Sequence, residues 1–338
     1  MDLEVFWFIL IGVLLAGYAF LDGFDLGVGI VFYAAKTDKE RRLFMNAIGP
    51  IWDGNEVWLV TFGGALFAAF PEVYATSFSA FYLPFMLLLI CLIFRAVSME
   101  FRSKVKSPLW RKFWDFSFFL SCTLASFLFG VAVGNSMVGL PIGSDHEYQG
   151  HLGHLLGFYP LLVGLLVVAL FALHGSVYLT LKTEGELQKR LRPLMWKAFG
   201  TFLVLYLMAT IITLVSIPHA VEPFRQPGPA WLAVVVSILA LANIPRSLYM
   251  ERPGEAFVSS GAAILSLTAL FGAALYPNMM VSSLDPAYNL TIYNAASSQG
   301  TLRIMQLIAF LGLPFVLSYS AVVYWVFRGK VQLDDTSY

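Results

Sequence analysis

Residues 5–35 read VFWFILIGVLLAGYAFLDGFDLGVGIVFYAA, and the class of fold follows from this run. A helix needs about 20 predominantly apolar residues to cross the hydrocarbon of a bilayer. This stretch exceeds that length before the first basic residue, Lys36. Two aspartates interrupt it, Asp22 and Asp25. A carboxylate at the centre of a membrane helix costs about 2.5–3.5 kcal/mol on insertion scales, so each needs a partner or a function. The N-terminus lacks the positive n-region of a secretory signal, and the apolar run is about twice the length of an h-region, so the first span is expected to be retained.

Further apolar runs lie near 48–70, 75–101, 114–138, 155–181, 196–218, 229–249, 256–281 and 302–327, which predicts nine spans. The composition agrees. Hydrophobic residues make up 59% and charged residues 12% of the chain, with a mean hydropathy of +0.75, against roughly 45–50% and 25% in a soluble domain. In lipid every backbone polar group must be paired internally, and no strand pattern competes, so an all-α integral membrane protein is expected. Residues 1–330 read as a single transmembrane domain and 331–338 as a polar tail.

The formal net charge is zero, which gives no electrostatic case for nucleic-acid binding or for peripheral attachment to anionic lipid. The distribution is more informative: 18 of the 21 Lys and Arg fall on one side of the predicted spans. They cluster at Lys36–Arg42, Arg102–Lys112 and Lys182–Lys197, with smaller groups at Arg246, Arg252, Arg328 and Lys330. The positive-inside rule then places the N-terminus outside and the C-terminus in the cytoplasm. These clusters read as topology determinants and lipid head-group contacts.

A second acidic pair, Asp53 and Glu56, lies in WDGNEVWL at the start of the second span. Given the orientation, all four acids lie in the inner halves of their spans, and Arg95 of the third span joins them at that depth. The i, i+3 spacing puts both members of each pair on one helix face, where like charges repel and burial penalises ionisation. Two readings stay open. The cluster is a proton relay from the cytoplasm, or it is a buried ion-pair network that fixes helix register.

Small residues mark close helix approaches at Gly23 and Gly27, at Gly130 and Gly134, and at Gly63, Gly64 and Ala65. Most tryptophans, Trp52 and Trp110 among them, fall near span ends as an interfacial belt. Cys91 and Cys122 sit inside apolar runs and read as packing residues. Of the five histidines, His146, His151, His154 and His219 fall at outer loops or helix ends and only His174 lies well inside a span. A bis-histidine haem is therefore not expected on this chain alone, and no metal site is expected either: His151 and His154 share a face without a Cys or carboxylate partner at metal-site spacing. Phosphate-loop, CxxCH and nucleophile-elbow motifs are missing.

The chain resembles subunit II of cytochrome bd-type quinol oxidases. The matching segments are GYAFLDGFDLGVG at 17–29, GPIWDGNEVWLVTFGGALFAAFPEVYA at 49–75, FRSK at 101–104, YPNMMVSS at 276–283 and AASSQGTL at 295–302. The resemblance implies two four-helix bundles plus one peripheral helix in a bacterial or archaeal plasma membrane. It implies a complex that oxidises membrane quinol and reduces dioxygen to water with protons taken from the cytoplasm. Haem b and haem d would be carried by a partner, subunit I, which this chain stabilises, so no residue here is catalytic. A quinone would be met as substrate or as structural lipid, and a further small single-helix subunit is left open. The family's acidic positions match Asp22, Asp25 and Asp53, and its third-helix arginine matches Arg95. Asp53 carries over as a proton-path residue and Trp58 as a residue flanking oxygen access. Glu56 stands where some relatives carry a neutral amide.

Two rivals belong to other classes. A proton-coupled secondary transporter would also hold ionisable groups inside a bundle, but it predicts broken helices in paired repeats, and Pro84 and Pro314 are few and unpaired. A purely structural subunit would only scaffold haem-bearing helices.

Overall fold

Long apolar runs with few interior breakers become helices throughout the computed structural model, which describes residues 2–333. Twelve α-helices occur among them. They are α1 (Leu3–Ile30), α2 (Asp38–Ile48), α3 (Trp52–Ala69), α4 (Pro71–Ala80), α5 (Tyr82–Arg102), α6 (Pro108–Val138), α7 (Phe158–Lys182), α8 (Gly185–Ser216), α9 (Pro218–Val221), α10 (Ala230–Tyr249), α11 (Pro253–Leu275) and α12 (Gln299–Val326). Eight of these, α1, α5, α6, α7, α8, α10, α11 and α12, are long and apolar enough to cross a membrane. The chain is a multi-pass membrane protein.

The helix termini follow the local sequence. Thr37 caps α2 in a capping box: its hydroxyl accepts from the Glu40 N–H at 3.2 Å while the Glu40 carboxylate accepts from the Thr37 N–H. Pro71, Pro108 and Pro253 each stand at the first position of a helix, where the missing N–H costs nothing. Gly139 ends α6 at φ +96°, a left-handed conformation that favours glycine. The predicted 75–101 span differs from the structure. The backbone breaks at Phe81, so its first residues belong to α4 and the spanning helix starts at Tyr82. Pro84 then sits in the first turn of α5, where proline is tolerated.

Helix α7 is the most enclosed of the long helices and α12 the least, burying Leu302 alone. Glycine explains how α7 is gripped from two sides. A Cβ at Gly27 of α1 would collide with Phe171 O and Gly175 N of α7, and one at Gly134 of α6 would collide with Pro160 of α7. Where apolar burial gives no drive, such backbone approach is what holds membrane helices together. Gly63 and Gly64 of α3, expected to do the same, meet nothing within 4 Å and lie on a face this chain leaves uncovered.

Two large apolar cores result, with a small third cluster of Met137, Ile217, Ala220 and Ala274. The larger one joins α1, α2, α5, α6, α7, α8, α10 and α11 toward the basic end of the molecule, with Phe24, Phe118, Leu173 and Phe202 among its buried members. The smaller one, at the opposite end, packs Trp7, Phe70, Ile142, Met280 and Ile292. There the loops are more ordered than their polarity suggests. Strands β1 (Asn278–Met280) and β2 (Leu290–Thr291) form a short antiparallel hairpin, and Leu140 bridges to Ser282. Ser297 closes the cap by donating its N–H to Ala69 O at 2.8 Å. Past α12 the tail is tied at its start: Lys330 Nζ donates to Thr183 O at 2.6 Å and the Val331 N–H to Lys182 O at 2.9 Å. The rest of the predicted polar tail, 334–338, lies outside the described residues.

Candidate functional site

Tyr18, Asp22 and Asp25 follow i, i+4, i+7 spacing, which stacks them on one stripe of α1. All three are buried, the two aspartates completely. The buried stripe of α5 runs Leu88, Cys91, Arg95, Ser98, Met99, Arg102 and delivers Arg95 to the same place. Its guanidinium is fully enclosed and makes two ion pairs, Nη1 to Asp22 Oδ1 at 2.6 Å and Nη2 to Glu56 Oε1 of α3. One side chain thereby ties three helices together. Trp52, placed by its sequence position in an interfacial belt, instead holds its ring 5.9 Å from the Arg95 guanidinium carbon, a cation–π contact.

Asp25 takes a different partner. Asn55 of α3 donates from Nδ2 to Asp25 Oδ2 at 2.7 Å, and its Oδ1 accepts from the Tyr324 hydroxyl of α12, also at 2.7 Å. A second chain of hydrogen bonds, Tyr324 to Asn55 to Asp25, thus runs beside the ion-paired chain Asp22 to Arg95 to Glu56. Neither Asn55 nor Tyr324 stood out in the sequence. The available signal was that Asn55 is itself a polar residue in the first turn of a span, next to Glu56 in sequence.

The second acidic pair does not stay together. Glu56 turns inward to Arg95 with its side chain one-quarter exposed, whereas Asp53 is exposed and has no ion-pair or hydrogen-bond partner among the described residues. Three residues along a helix rotate by about 300°, leaving side chains about 60° apart, which at the edge of an interface is enough to divide them. Asp53 occupies the first turn of α3, where the helix dipole favours a negative charge. Trp58 lies on the α1–α3 seam, its ring seated where a Cβ on Gly17 would be.

Charge stoichiometry sets what the site can do. Asp22 and Glu56 pair with the one guanidinium, and a third carboxyl, Asp25, is enclosed one turn along α1 on the Asn55 amide. Asp22 Oδ2, Asp25 Oδ1 and Arg95 Nε are buried without a hydrogen-bond partner among the described residues. Buried polar atoms in native proteins are nearly always satisfied, by protein or by ordered water. The Tyr18 hydroxyl is unpartnered too, so the site has unused donors as well as acceptors, and with one cation for three carboxyls it has the wrong ratio for a closed ion-pair lattice.

The histidines have other work. His174 is fully buried between Phe20, Phe24 and Phe257, with Nδ1 2.8 Å from Ser260 Oγ and Nε2 3.2 Å from Phe20 O. His219 Nε2 lies 2.9 Å from Met137 O. His151 and His154 stack at 4.0 Å and use their Nδ1 atoms to accept backbone N–H groups of their own turn.

A family model described as cytochrome bd terminal oxidase subunit II matches residues 3–327. The chain belongs to that family. Among its relatives, cytochrome bd ubiquinol oxidase subunit 2 of Bacillus subtilis (strain 168) is 36% identical over 335 residues, covering 98% of this chain and 97% of that one. Cytochrome bd-I ubiquinol oxidase subunit 2 of Escherichia coli (strain K12) is 35% identical over 365 residues, covering 98% and 96%. The solved structure of bd oxidase from Geobacillus thermodenitrificans contains a chain that superposes with a TM-score of 0.79 at 19% identity, covering 97% of this chain and 99% of that one. At that identity the likeness speaks for the fold.

Proposed function

We propose that this chain, as one subunit of a membrane quinol oxidase, leads protons from the cytoplasm toward the oxygen-reducing centre of its haem-bearing partner, subunit I. One observation carries the reading: three enclosed carboxyls at one depth have a single guanidinium among them, paired to Asp22 and Glu56, with unsatisfied oxygens on Asp22 and Asp25. Family membership sets the transporter reading aside.

The basic end of the helices faces the cytoplasm by the positive-inside rule. Asp53, exposed in the first turn of α3, collects a proton there. Glu56, one turn further and part-exposed, receives it; Asp22 and Asp25 hold it in the interior. Arg95 keeps Asp22 and Glu56 within reach of each other, and the Asn55 amide positions Asp25. Trp58, half-buried at the α1–α3 seam, flanks an oxygen path from the lipid. With α3 counted, nine helices cross the membrane, as two four-helix bundles with the barely packed α12 at the periphery. The relatives are named ubiquinol oxidases, and a quinol is the reductant we assign to the complex. The haems belong to the partner, since the histidines here are engaged in local hydrogen bonds.

A scaffold reading has its own support, because Arg95 joins α1, α3 and α5 whether or not protons move. The two separate in the purified two-subunit complex carrying Asp25→Asn or Asp53→Asn, assayed by oxygen consumption with quinol and by haem absorbance. The relay predicts at least about a tenfold fall in turnover per haem for Asp25→Asn, in keeping with the 10²–10⁴-fold typical of lost proton transfer. Unchanged turnover per haem in both variants would remove the relay, and haem loss alone would leave the scaffold.

A further inference from the structure

The geometry points to a second site, a binding cleft for the headgroup phosphate of an anionic phospholipid, between α2, α5 and α6 at the basic end of the molecule. The cleft has a volume of about 240 Å³. Asp38 and Asp115 line it, and every carboxylate oxygen they own is taken. Asp115 accepts from Arg102 Nε and from Arg41 Nη1, both at 2.6 Å; Asp38 accepts from Arg102 Nη2 at 2.8 Å and pairs with Arg111 Nη1 at 3.3 Å.

The cations are not used up in return. Arg102 is 1% exposed, yet its Nη1 has no hydrogen-bond partner among the described residues, and the same holds for Nε of Arg41 and Nε of Arg111. All three arginines line this one cleft, and Lys106 and Lys112 add two more positive charges to its wall. The wall therefore carries a net charge of +3, five cations against two carboxylates. A buried guanidinium N–H left without an acceptor is costly, and phosphate oxygens match the guanidinium fork. The first turn of α6 opens onto the same cleft at Pro108, so its dipole adds to the attraction.

The adjoining surface favours a lipid over a free anion. On α6 the cleft is lined by Pro108, Arg111, Lys112 and Asp115, and the neighbouring stripe, one residue on from Pro108, Lys112 and Asp115, is Leu109, Phe113 and Phe116. These three are 78%, 53% and 52% exposed. A cationic cleft beside an apolar stripe gives a headgroup and its acyl chain adjacent surfaces. Inorganic phosphate would use only the first.

Native mass spectrometry of the purified two-subunit complex tests this, with phosphatidylglycerol, phosphatidylcholine or inorganic phosphate added to wild type and to the Lys106→Gln/Lys112→Gln variant. Both lysines are exposed and outside any ion pair among the described residues, so haem absorbance and melting temperature should match wild type. A lysine near a membrane surface contributes about fivefold in anionic-lipid affinity, so the variant should need about 25-fold more phosphatidylglycerol for half-occupancy of one site. Phosphatidylcholine should distinguish the two proteins little. Equal retention of phosphatidylglycerol by both would overturn the site. Displacement of the lipid by millimolar phosphate would assign the cleft to a free anion and overturn the lipid. Should the double variant fail to assemble, Lys106→Gln alone carries the same test at about fivefold.

Discussion

Arg95 and Arg102 stand two turns apart on the same buried stripe of α5, and the two charged sites they organise are opposites. Around Arg95 carboxyls outnumber cations and the space is nearly closed; around Arg102 cations outnumber carboxylates and a cleft opens at the surface. An excess of enclosed carboxyls over cations favours protons or water, while an excess of cations favours an anion. The same residue type on one helix face thus stands in two opposite electrostatic settings, and the difference lies in what the neighbouring helices bring.

The sharpest way to break this comparison is to remove each arginine. Arg95→Ala leaves Asp22 buried without a counter-charge, and loss of one partner of a buried pair costs about 3–5 kcal/mol. The complex should lose most of its assembled yield and haem. Arg102→Ala should cost less, about 1–3 kcal/mol, because Arg41 and Arg111 still hold Asp115 and Asp38. Thermal melts of the two purified complexes check the order, and equal losses would mean that the closed and open sites do not differ energetically.

A smaller effect tests the Tyr324–Asn55–Asp25 chain beside Arg95. Asn55→Leu deprives both Asp25 and the Tyr324 hydroxyl of their partners, which should cost about 1–3 kcal/mol and loosen α12. Tyr324→Phe removes only the hydroxyl and should cost less. Proteolysis at the α12 end, followed over time, should accelerate in the first variant more than in the second.

The smallest effect is a pH dependence at the basic end. For Asp38 burial opposes the charge, but the hydrogen bond and charge of Arg102, with Arg111 and Arg42, outweigh it and hold the carboxyl below its usual range. For Glu40 burial is likewise overcome, by the N–H groups of Lys36 and Thr37 and by Arg190. A carboxyl lowered in the folded state stabilises the fold fully above its unfolded pKa, about 4, and loses that contribution as pH falls through the folded value. Melting temperature should therefore drop below about pH 4, and the advantage of wild type over Asp38→Asn/Glu40→Gln should vanish in that range. A difference between the two proteins that persisted unchanged at lower pH would contradict the assignment.

Much of the inner site was legible before any coordinates. Asp22, Asp25, Glu56 and Arg95 share a depth because helix length and the position of basic loops fix depth arithmetically. Asp53 was legible as an acid in a span but not as a surface residue, since a 60° rotation at a helix edge depends on where α1 lies. Asn55 and Trp52 were hidden for a related reason: their identities as partners of Asp25 and Arg95 come from neighbouring helices, not from their own. The basic cluster was legible as a topology signal and a head-group contact but not as a cleft, because the sequence shows the cations but not that both oxygens of Asp38 and of Asp115 are already occupied.

Amino-acid order alone determined that the chain crosses a membrane as helices, and which polar groups must be housed inside it, because hydrophobic length and the cost of a bare charge in lipid are local properties. Which carboxyl meets which cation, which glycine faces another backbone, and where a surplus of donors opens to the surface were decided only by the packing of helices. Those outcomes depend on rotations and crossings between segments up to hundreds of residues apart, about which periodicity within any one helix is silent.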